Sequence, residues 1–503
     1  MTEGYGTLAL VSDDPTRGTP IDPSVALTAD DLVRITGGRL LARSERPIRG
    51  AAVDSRLVHP DNMFAALPGE RTDGHLHLDD AVARGAAALL VMRQVDDVRP
   101  YGDLTIVRVA DGLAALGAVA AAWRRRFDPL VVGITGSIAK TSTKEAVATV
   151  LGATRRTLKT EGNQNNEIGL PLTLLRLGPE DEAAVLEMGM YTSGEIADLA
   201  AMARPSIGVV TAVQAVHLSR IGSLEAIERA KGELLEALPA SGTAVLNADD
   251  PIVDRMDRRT VARPLRYGFD EGADVRAVDI ESGGTAGMRF TLRTPAGERP
   301  VTIPALGRLS VHNAAAGAAV GIAAGMDLDA IAIGLEFGWA APHRVELVRL
   351  RGSTVIDDSY NASPGSMMAA LEVLADLPGR HVAVLGEMLE LGDEHEAGHQ
   401  AVGAAAAAVV DRLVVVGTDA GGIVDGAVAS GLSPDVIQYV PDTETAIDAV
   451  RPRLRDGDVV LVKGSRGIGL ERLVDALRLE IGELPSVEPA TPPGRAPGQG
   501  TGG

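Results

Sequence analysis

Short apolar runs recur along this chain, each followed by a stretch whose apolar positions repeat at helical spacing. In the middle of the sequence the runs Leu130–Thr135, Ala183–Met188, Ile207–Val213 and Thr243–Asn247 read as strands, and Ser223–Leu238 reads as one of the intervening helices. Strands that alternate with helices imply a parallel sheet covered on both faces. The rhythm returns further on: Thr354–Asp357, His381–Gly386, Arg412–Val416, Val436–Val440 and Val459–Lys463 read as strands, and Leu470–Leu479 as a closing helix. That is a second doubly wound sheet.

Two segments break the rhythm. Residues 262–305 alternate apolar and polar positions without helical period, as in Gly287-Met288-Arg289-Phe290-Thr291-Leu292, and predict a small antiparallel insertion. Residues 25–127 mix short strands and helices, with a helix over Asp79–Ala87 followed by a strand over Ala88–Met92. The expected architecture is α/β in three domains. A small mixed N-terminal domain (25–127) precedes a central parallel-sheet domain with the insertion (128–342) and a Rossmann-like domain (343–483). Residues 1–24 are polar and 484–503 are rich in Pro and Gly, so both are expected to be disordered. Ligands bind beyond the carboxyl ends of such strands, and two sheets in tandem suggest a cleft that opens and closes.

Length and composition narrow the chemistry. At 503 residues the chain is too long for a single core, and with 3% aromatic residues its cores must be built from Ala, Val, Leu and Ile. The net charge of −20, without a basic run, argues against nucleic acid or an anionic membrane as partner. A polyanionic ligand would need local Lys, Arg, backbone N–H groups and Mg²⁺. There is no Cys, which excludes disulfides, thiolate metal sites and Cys nucleophiles. The start, Met-Thr-Glu-Gly-Tyr-Gly, lacks the basic and apolar regions of a signal peptide, and Asp411 and Arg412 break the apolar stretch Ala401–Val416. A soluble cytoplasmic protein is expected.

The run Val-Val-Gly-Ile-Thr-Gly-Ser-Ile-Ala-Lys-Thr-Ser-Thr-Lys-Glu, residues 131–145, takes a strand through a turn into a helix. Such a turn points unpaired N–H groups at an anion, with the helix dipole behind them. Lys140 can then reach the β- and γ-phosphates of a nucleotide, and the Thr141 hydroxyl can bind bridging Mg²⁺. The strict pattern G-x-x-x-x-G-K-[ST] has Ile134 and Ala139 at its two glycine positions, so an ordinary strand-to-helix turn stays open on this motif alone. Glu187 stands at the carboxyl end of a strand, where it is either a Mg²⁺ ligand or a solvated strand-end carboxylate. His217 follows another strand, and Lys231 lies on a helix; by residue type alone both read as structural.

Further runs change that reading. The segments Gly133–Glu145, Thr160-Glu161-Gly162-Asn163-Gln164-Asn165-Asn166-Glu167-Ile168-Gly169, Glu187-Met188-Gly189-Met190, Ala230-Lys231-Gly232-Glu233 and Asp357-Asp358-Ser359-Tyr360-Asn361-Ala362 occur in that order. Together they closely resemble the Mur ligases, over roughly residues 45–480. Within the family the resemblance is to the branch that joins D-alanyl-D-alanine (D-Ala-D-Ala) to UDP-N-acetylmuramoyl-tripeptide. Asp54-Ser55-Arg56, Phe64–Glu70, Asp73-Gly74-His75 and Gly85-Ala86 are similar to its uridine-nucleotide-binding domain. Gly386-Glu387-Met388-Leu389-Glu390-Leu391-Gly392 and Lys463-Gly464-Ser465-Arg466 are similar to that branch's signatures, and the Asp-Asn-Pro-Arg stretch of neighbouring ligases is absent.

The resemblance implies an ATP-dependent amide ligase working through an acyl phosphate in peptidoglycan precursor synthesis. It implies ATP and two Mg²⁺ as cofactors, the two peptide substrates as small-molecule partners, and a monomer. By matching position, Gly136, Ser137, Lys140, Thr141 and Ser142 would hold the phosphates, Asn313 the adenine and Asp358 the ribose. Arg344 would swing toward the γ-phosphate. Thr141, Glu187, His217 and a carbamylated Lys231 would bind Mg²⁺. Ser55, Arg56, Asn163, Asn166, Tyr360, Asn361, Lys463 and Arg466 would contact substrate.

Three positions depart from the family pattern: Ala139 for glycine, Leu309 where His is common, and Ser363 for Asn. An alanine forced into left-handed backbone costs about 1–2 kcal/mol, and nothing if φ is negative. Two alternatives follow: a folylpolyglutamate synthase-like ligase sharing the ATPase core, or a nucleotide-binding partner protein that has lost catalysis.

Overall fold

The computed structural model describes residues 25–484 except 70, 71, 96 and 215–222. The expected disorder of 1–24 and of 485–503 lies outside those residues. Leu484, expected in the disordered tail, lies inside them: its N–H donates to the Arg349 carbonyl (2.8 Å), beside a bridge between Leu350 and Glu483.

Three sheets form among the described residues. The first holds β1 (Arg39–Ala42), β2 (Ala51–Ala52), β3 (Met63–Ala65), β4 (Ala88–Val91) and β5 (Thr105–Arg108) in the order β1-β5-β4-β3-β2. The central sheet holds β6 (Leu130–Thr135), β7 (Thr157–Lys159), β8 (Ala183–Glu187), β9 (Ile207–Val210), β10 (Thr243–Asn247), β11 (Arg263–Gly268), β12 (Val275–Ser282), β13 (Met288–Thr294) and β14 (Gly297–Ile303). Its order is β14-β13-β12-β11-β10-β9-β6-β8-β7. The third holds β15 (Glu346–Arg349), β16 (Ser353–Asp358), β17 (Arg380–Gly386), β18 (Arg412–Val416), β19 (Ile437–Val440) and β20 (Asp458–Lys463), ordered β15-β16-β20-β17-β18-β19.

The insertion expected over 262–305 is not a separate sheet. Strands β11 and β12 continue the central sheet in parallel, and only β12–β14 pair antiparallel. Apolar and polar residues alternate there because one face packs on the core and the other meets solvent.

The parallel strands are buried on both faces, as their unbroken apolar runs require. On β6, Val132 and Ile134 face a core with Val147, Leu151, Val311 and Ala315, while Val131 faces a second core. That second core includes Leu32, Met63, Leu90 and Trp123 from the first sheet's region and Leu158, Leu174 and Leu186 from the central one. The indole N–H of Trp123 donates to the Leu177 carbonyl (2.9 Å), and the Arg124 guanidinium donates to the carbonyls of Ala203 (2.9 Å) and Phe127 (2.8 Å). The first two expected domains thus share one hydrophobic interior.

At the end of β6 the chain turns through Gly136–Ala139 into the helix Lys140–Gly152. Ala139 caps that helix at φ +63°, in the left-handed region. The glycine of the strict loop pattern is therefore replaced where its conformational freedom is used, and the strain of about 1–2 kcal/mol is present. Ser363 has a local role: its hydroxyl accepts from Ser366 N–H and caps the helix Pro364–Ala375. Nothing in the structure explains the departure at Leu309.

Two consequences can be measured. Ala139→Gly should raise stability by about 1 kcal/mol, the strain relieved less the larger entropy of an unfolded glycine. Equilibrium urea unfolding checks this; a loss would show that the loop does not hold φ +63° in solution. Trp123→Phe leaves the Leu177 carbonyl without its donor and should cost about 1–2 kcal/mol in the same measurement.

Candidate active site

The loop after β6 is built around close approaches. A Cβ on Gly136 would lie 1.8 Å from the Thr211 hydroxyl, so no other residue fits there. Thr211 Oγ1 donates to the Ile138 carbonyl (2.6 Å), and Ser137 exchanges hydrogen bonds with the backbone of Gln214 (3.1 and 3.0 Å). These bonds tie the loop to the segment after β9.

Lys140 curls back so that its ammonium donates to the Gly136 carbonyl (2.8 Å) at the loop mouth. Burial lowers its pKa and Arg344 lowers it further, while Glu187 acts in the opposite direction. The Thr141 hydroxyl donates to Glu187 Oε2 (2.9 Å), and Asn165 Nδ2 donates to Glu187 Oε1 (2.7 Å). Glu187 is 1% exposed, and its own N–H donates to Thr160 Oγ1 (3.1 Å). A carboxylate and a hydroxyl side by side are hard oxygen donors, the set that suits Mg²⁺.

Lys231, on the helix Leu224–Glu236, is 4% exposed. Among the described residues its ammonium makes no hydrogen bond or ion pair. Burial first, and then repulsion from Lys140, hold its pKa well below the ordinary lysine value. A buried amine in that state is a neutral nucleophile more readily than a cation. His217 lies outside the described residues.

Asn313, buried on the helix Arg308–Ala323, accepts at Oδ1 from the Thr143 hydroxyl (3.0 Å), and Ser142 is half-buried beside it on the loop helix. Next to Asn313, the His312 ring lies 5.0 Å from Tyr267 and 5.3 Å from Phe269, with Nε2 at 3.0 Å from Asn247 and 3.2 Å from Asp249. The sequence reading did not single out His312 or Asn247.

The third sheet contributes Arg344, whose guanidinium stacks on Tyr360 at 4.2 Å, with Arg466 on the same ring at 4.8 Å. His343 and Val345, on either side of Arg344, have φ of +59° and +54°. They are held there: His343 Nδ1 is 2.8 Å from Asp357 Oδ2, the Tyr360 N–H donates to the His343 carbonyl (3.2 Å), and Asp358 accepts from the Val345 backbone. Burial raises the pKa of Asp358 against the opposing pull of Lys463, whose ammonium is 2.6 Å away and also donates to the Asn361 carbonyl (2.9 Å).

The remaining expected substrate residues have local partners. Ser55 is buried at the start of a short turn, and exposed Arg56 pairs with Asp54 (2.6 Å), holding that carboxyl at a pKa of about 2. Asn163 is exposed. Asn166 Oδ1 accepts from the N–H groups of Ile168 (3.3 Å) and Gly169 (3.0 Å) and so caps the helix Gly169–Leu174, while Asn165 reaches Glu187. The structure thus sets Thr141 and Asn165 on Glu187, and places Lys140 within electrostatic reach of Glu187, Arg344 and Lys231, a site that favours an anion and offers oxygens to a hard cation.

Comparison with known proteins identifies the family. Three family models match: the Mur ligase family catalytic domain over residues 47–124, the Mur ligase middle domain over 134–321, and the Mur ligase glutamate ligase domain over 343–466. The chain is 39% identical over 462 residues to the UDP-N-acetylmuramoyl-tripeptide–D-alanyl-D-alanine ligase of Escherichia coli, covering 90% of this chain and 99% of the relative. The crystal structure of MurF from Acinetobacter baumannii aligns with a TM-score of 0.81 at 30% identity, over 92% of this chain and all (100%) of that one. The ADP complex of MurF ligase from Thermotoga maritima aligns with a TM-score of 0.74 at 30% identity, over 86% of this chain and 98% of that one. Matched along almost its whole length by relatives of this kind, the chain belongs to the Mur ligase family.

Proposed function

We propose that this protein joins D-Ala-D-Ala to UDP-N-acetylmuramoyl-tripeptide at the expense of ATP, as a cytoplasmic monomer. The observation that carries the reading is the grouping of Glu187, Arg344 and Lys231 about Lys140 at the loop after β6, in a chain whose relatives bear that activity in their names. The first region's match to the Mur ligase catalytic domain favours this over a folylpolyglutamate synthase-like ligase.

The tripeptide's terminal carboxylate attacks the γ-phosphorus, and the bond to the bridging β–γ oxygen breaks, giving an acyl phosphate and ADP. The amine of D-Ala-D-Ala then attacks the acyl carbon, and the tetrahedral species expels phosphate and gives up the amine's extra proton to it, leaving the amide. Lys140 exchanges the Gly136 carbonyl for phosphate oxygens, and Arg344 faces it across the site, so charge that builds up between them is neutralised. Gly136, Ser137 and Ser142 line the phosphate loop, Asn313 meets the adenine and Asp358 the ribose. Lys463 acts by holding Asp358.

Thr141, Glu187 and His217 would hold Mg²⁺, which supplies charge neutralisation at the phosphates. Lys231 would join them as a carbamate. An amine kept from protonation can add CO₂ and release a proton to solvent, and the resulting anion would be a counter-charge to Lys140. Ser55 and Arg56 would meet the uridine nucleotide. Asn163, Asn166, Tyr360, Asn361 and Arg466 would line the peptide side. The regions 25–127, 128–342 and 343–483 would serve as muramoyl-substrate, ATP and closing units.

The test is release of ADP that requires both peptide substrates; release indifferent to D-Ala-D-Ala would overturn the reading. Lys140→Ala should lower turnover by about 10²–10³, measured as coupled ADP release, because a buried charge-stabilising donor is lost. Lys231→Ala should be nearly inactive and partly rescued by a short carboxylate in the buffer. In the parent enzyme, ¹³C-labelled bicarbonate should give a carbamate NMR signal that the variant lacks. Full activity of Lys231→Ala would show an ordinary helix lysine.

A further inference from the structure

Lys144 lies one helical turn beyond Lys140 and is 0% exposed. Its ammonium has three protons and meets three acceptors: the carbonyls of Thr160 (2.6 Å) and Gly162 (3.3 Å) and Glu145 Oε1 (2.9 Å). The other oxygen of Glu145 pairs with Lys159 (2.7 Å). A buried ammonium is costly to desolvate, and a well-packed apolar side chain would serve stability as well or better. The place to look for its use is therefore what it holds.

It holds the start of the loop that ends on Glu187. Thr160, whose carbonyl Lys144 binds, uses its hydroxyl to accept the N–H of Glu187 (3.1 Å). From Gly162, which takes φ +52°, the chain runs three residues to Asn165, whose amide donates to Glu187 Oε1 (2.7 Å). Asn165 is fixed from beyond as well: its carbonyl accepts from Gly189 N–H (2.8 Å), and a Cβ on Gly189 would lie 2.8 Å from Asn165 Oδ1. Both routes from Lys144 reach Glu187, one through its backbone and one through its side chain. The same helix presents Lys140 and Thr141 one turn earlier.

We propose that Lys144 is a positioning residue that fixes the 160–165 loop on the nucleotide helix and so sets the carboxylate of Glu187. The proposal rests on the metal role given to Glu187. It names a coupling between the loop that would face the peptide and the helix that would hold ATP, carried by one buried lysine.

The experiment is a double-mutant cycle of Lys144→Met and Asn165→Ala in the full chain, read by ligation kinetics with Mg²⁺ varied. Each single variant should lower kcat/KM by about 10–10², as expected for a misplaced group, and raise the Mg²⁺ concentration for half-maximal rate. The double variant should stay within about three-fold of the worse single one, because both act on Glu187. Multiplying effects, or an unchanged Mg²⁺ requirement in Lys144→Met, would overturn the proposal. If Lys144→Met does not fold by circular dichroism, Lys144→Arg takes its place, since a planar head in that space cannot serve both carbonyls; the same two outcomes decide. Glu187→Ala separates the readings. If it leaves the Mg²⁺ requirement unchanged, the metal role of Glu187 fails. If it raises the requirement while the Lys144 variants do not, only the positioning role fails.

Discussion

The carboxylate of Glu187 sits at the carboxyl end of β8, sealed from water, with one oxygen on Thr141 and the other on Asn165. An anion in that place is tolerable only because polar groups and cations converge on it. Thr141 and Lys140 come from the nucleotide helix and Asn165 from a polar loop, and Arg344, from the link to the third sheet, acts on Lys140. Move β8 by one residue in its pairing with β6, and the side chain passes to the opposite face of the sheet. The register Ile134–Glu187 is thus the constraint on which the chemistry of the other segments depends.

The surroundings of that carboxylate explain why an acidic protein can serve a polyanion. Over the whole chain, carboxylates exceed cations by twenty. Within the site the balance is reversed: Lys140 rests on a carbonyl and Arg344 on an aromatic ring, while Lys231 is held toward its neutral form. Such a site repels a simple cation and accepts a metal only together with anionic oxygen. Electrostatic preorganisation of this kind needs closure against water to be effective, which gives the third sheet, carrying Arg344 and Asp358, its place in the chemistry.

Much of this was legible in the sequence. Parallel strands buried on both faces leave unbroken apolar runs, so β6, β10 and β18 were placed to the residue. Strand ends were overrun where burial outlasts pairing. Met188 and Thr211–Val213 are buried but lie beyond the last ladder position; Met188 and Val213 pack into hydrophobic cores there. By residue type the nucleotide loop and Glu187 each left two readings open, and only the order of the motifs, through the family resemblance, singled them out. Asn165 was not singled out: it is one of three asparagines in a polar run, and only the turn at Gly162 decides which of them faces inward. Lys144 was hidden for the same reason, since two lysines four apart on a helix look like one face. The positive φ of Ala139, His343 and Val345 has no signature in those residue types, which ordinarily avoid it.

The interior shared by the first two regions has a consequence for how the chain can be taken apart or recombined. Trp123 and Arg124 reach across with hydrogen bonds, and Leu32, Met63 and Leu90 close the same core as Leu158 and Leu186. A cut near residue 127 would therefore bare an oily surface on both products, and a transplant of the first region onto a relative's scaffold would have to bring a matching floor with it. The two regions are a single inheritance unit in the physical sense. Substitutions on either side of that seam can drift only in compensating pairs, and the constraint reaches the edge of the first sheet, where Ala51 of β2 packs on the same core.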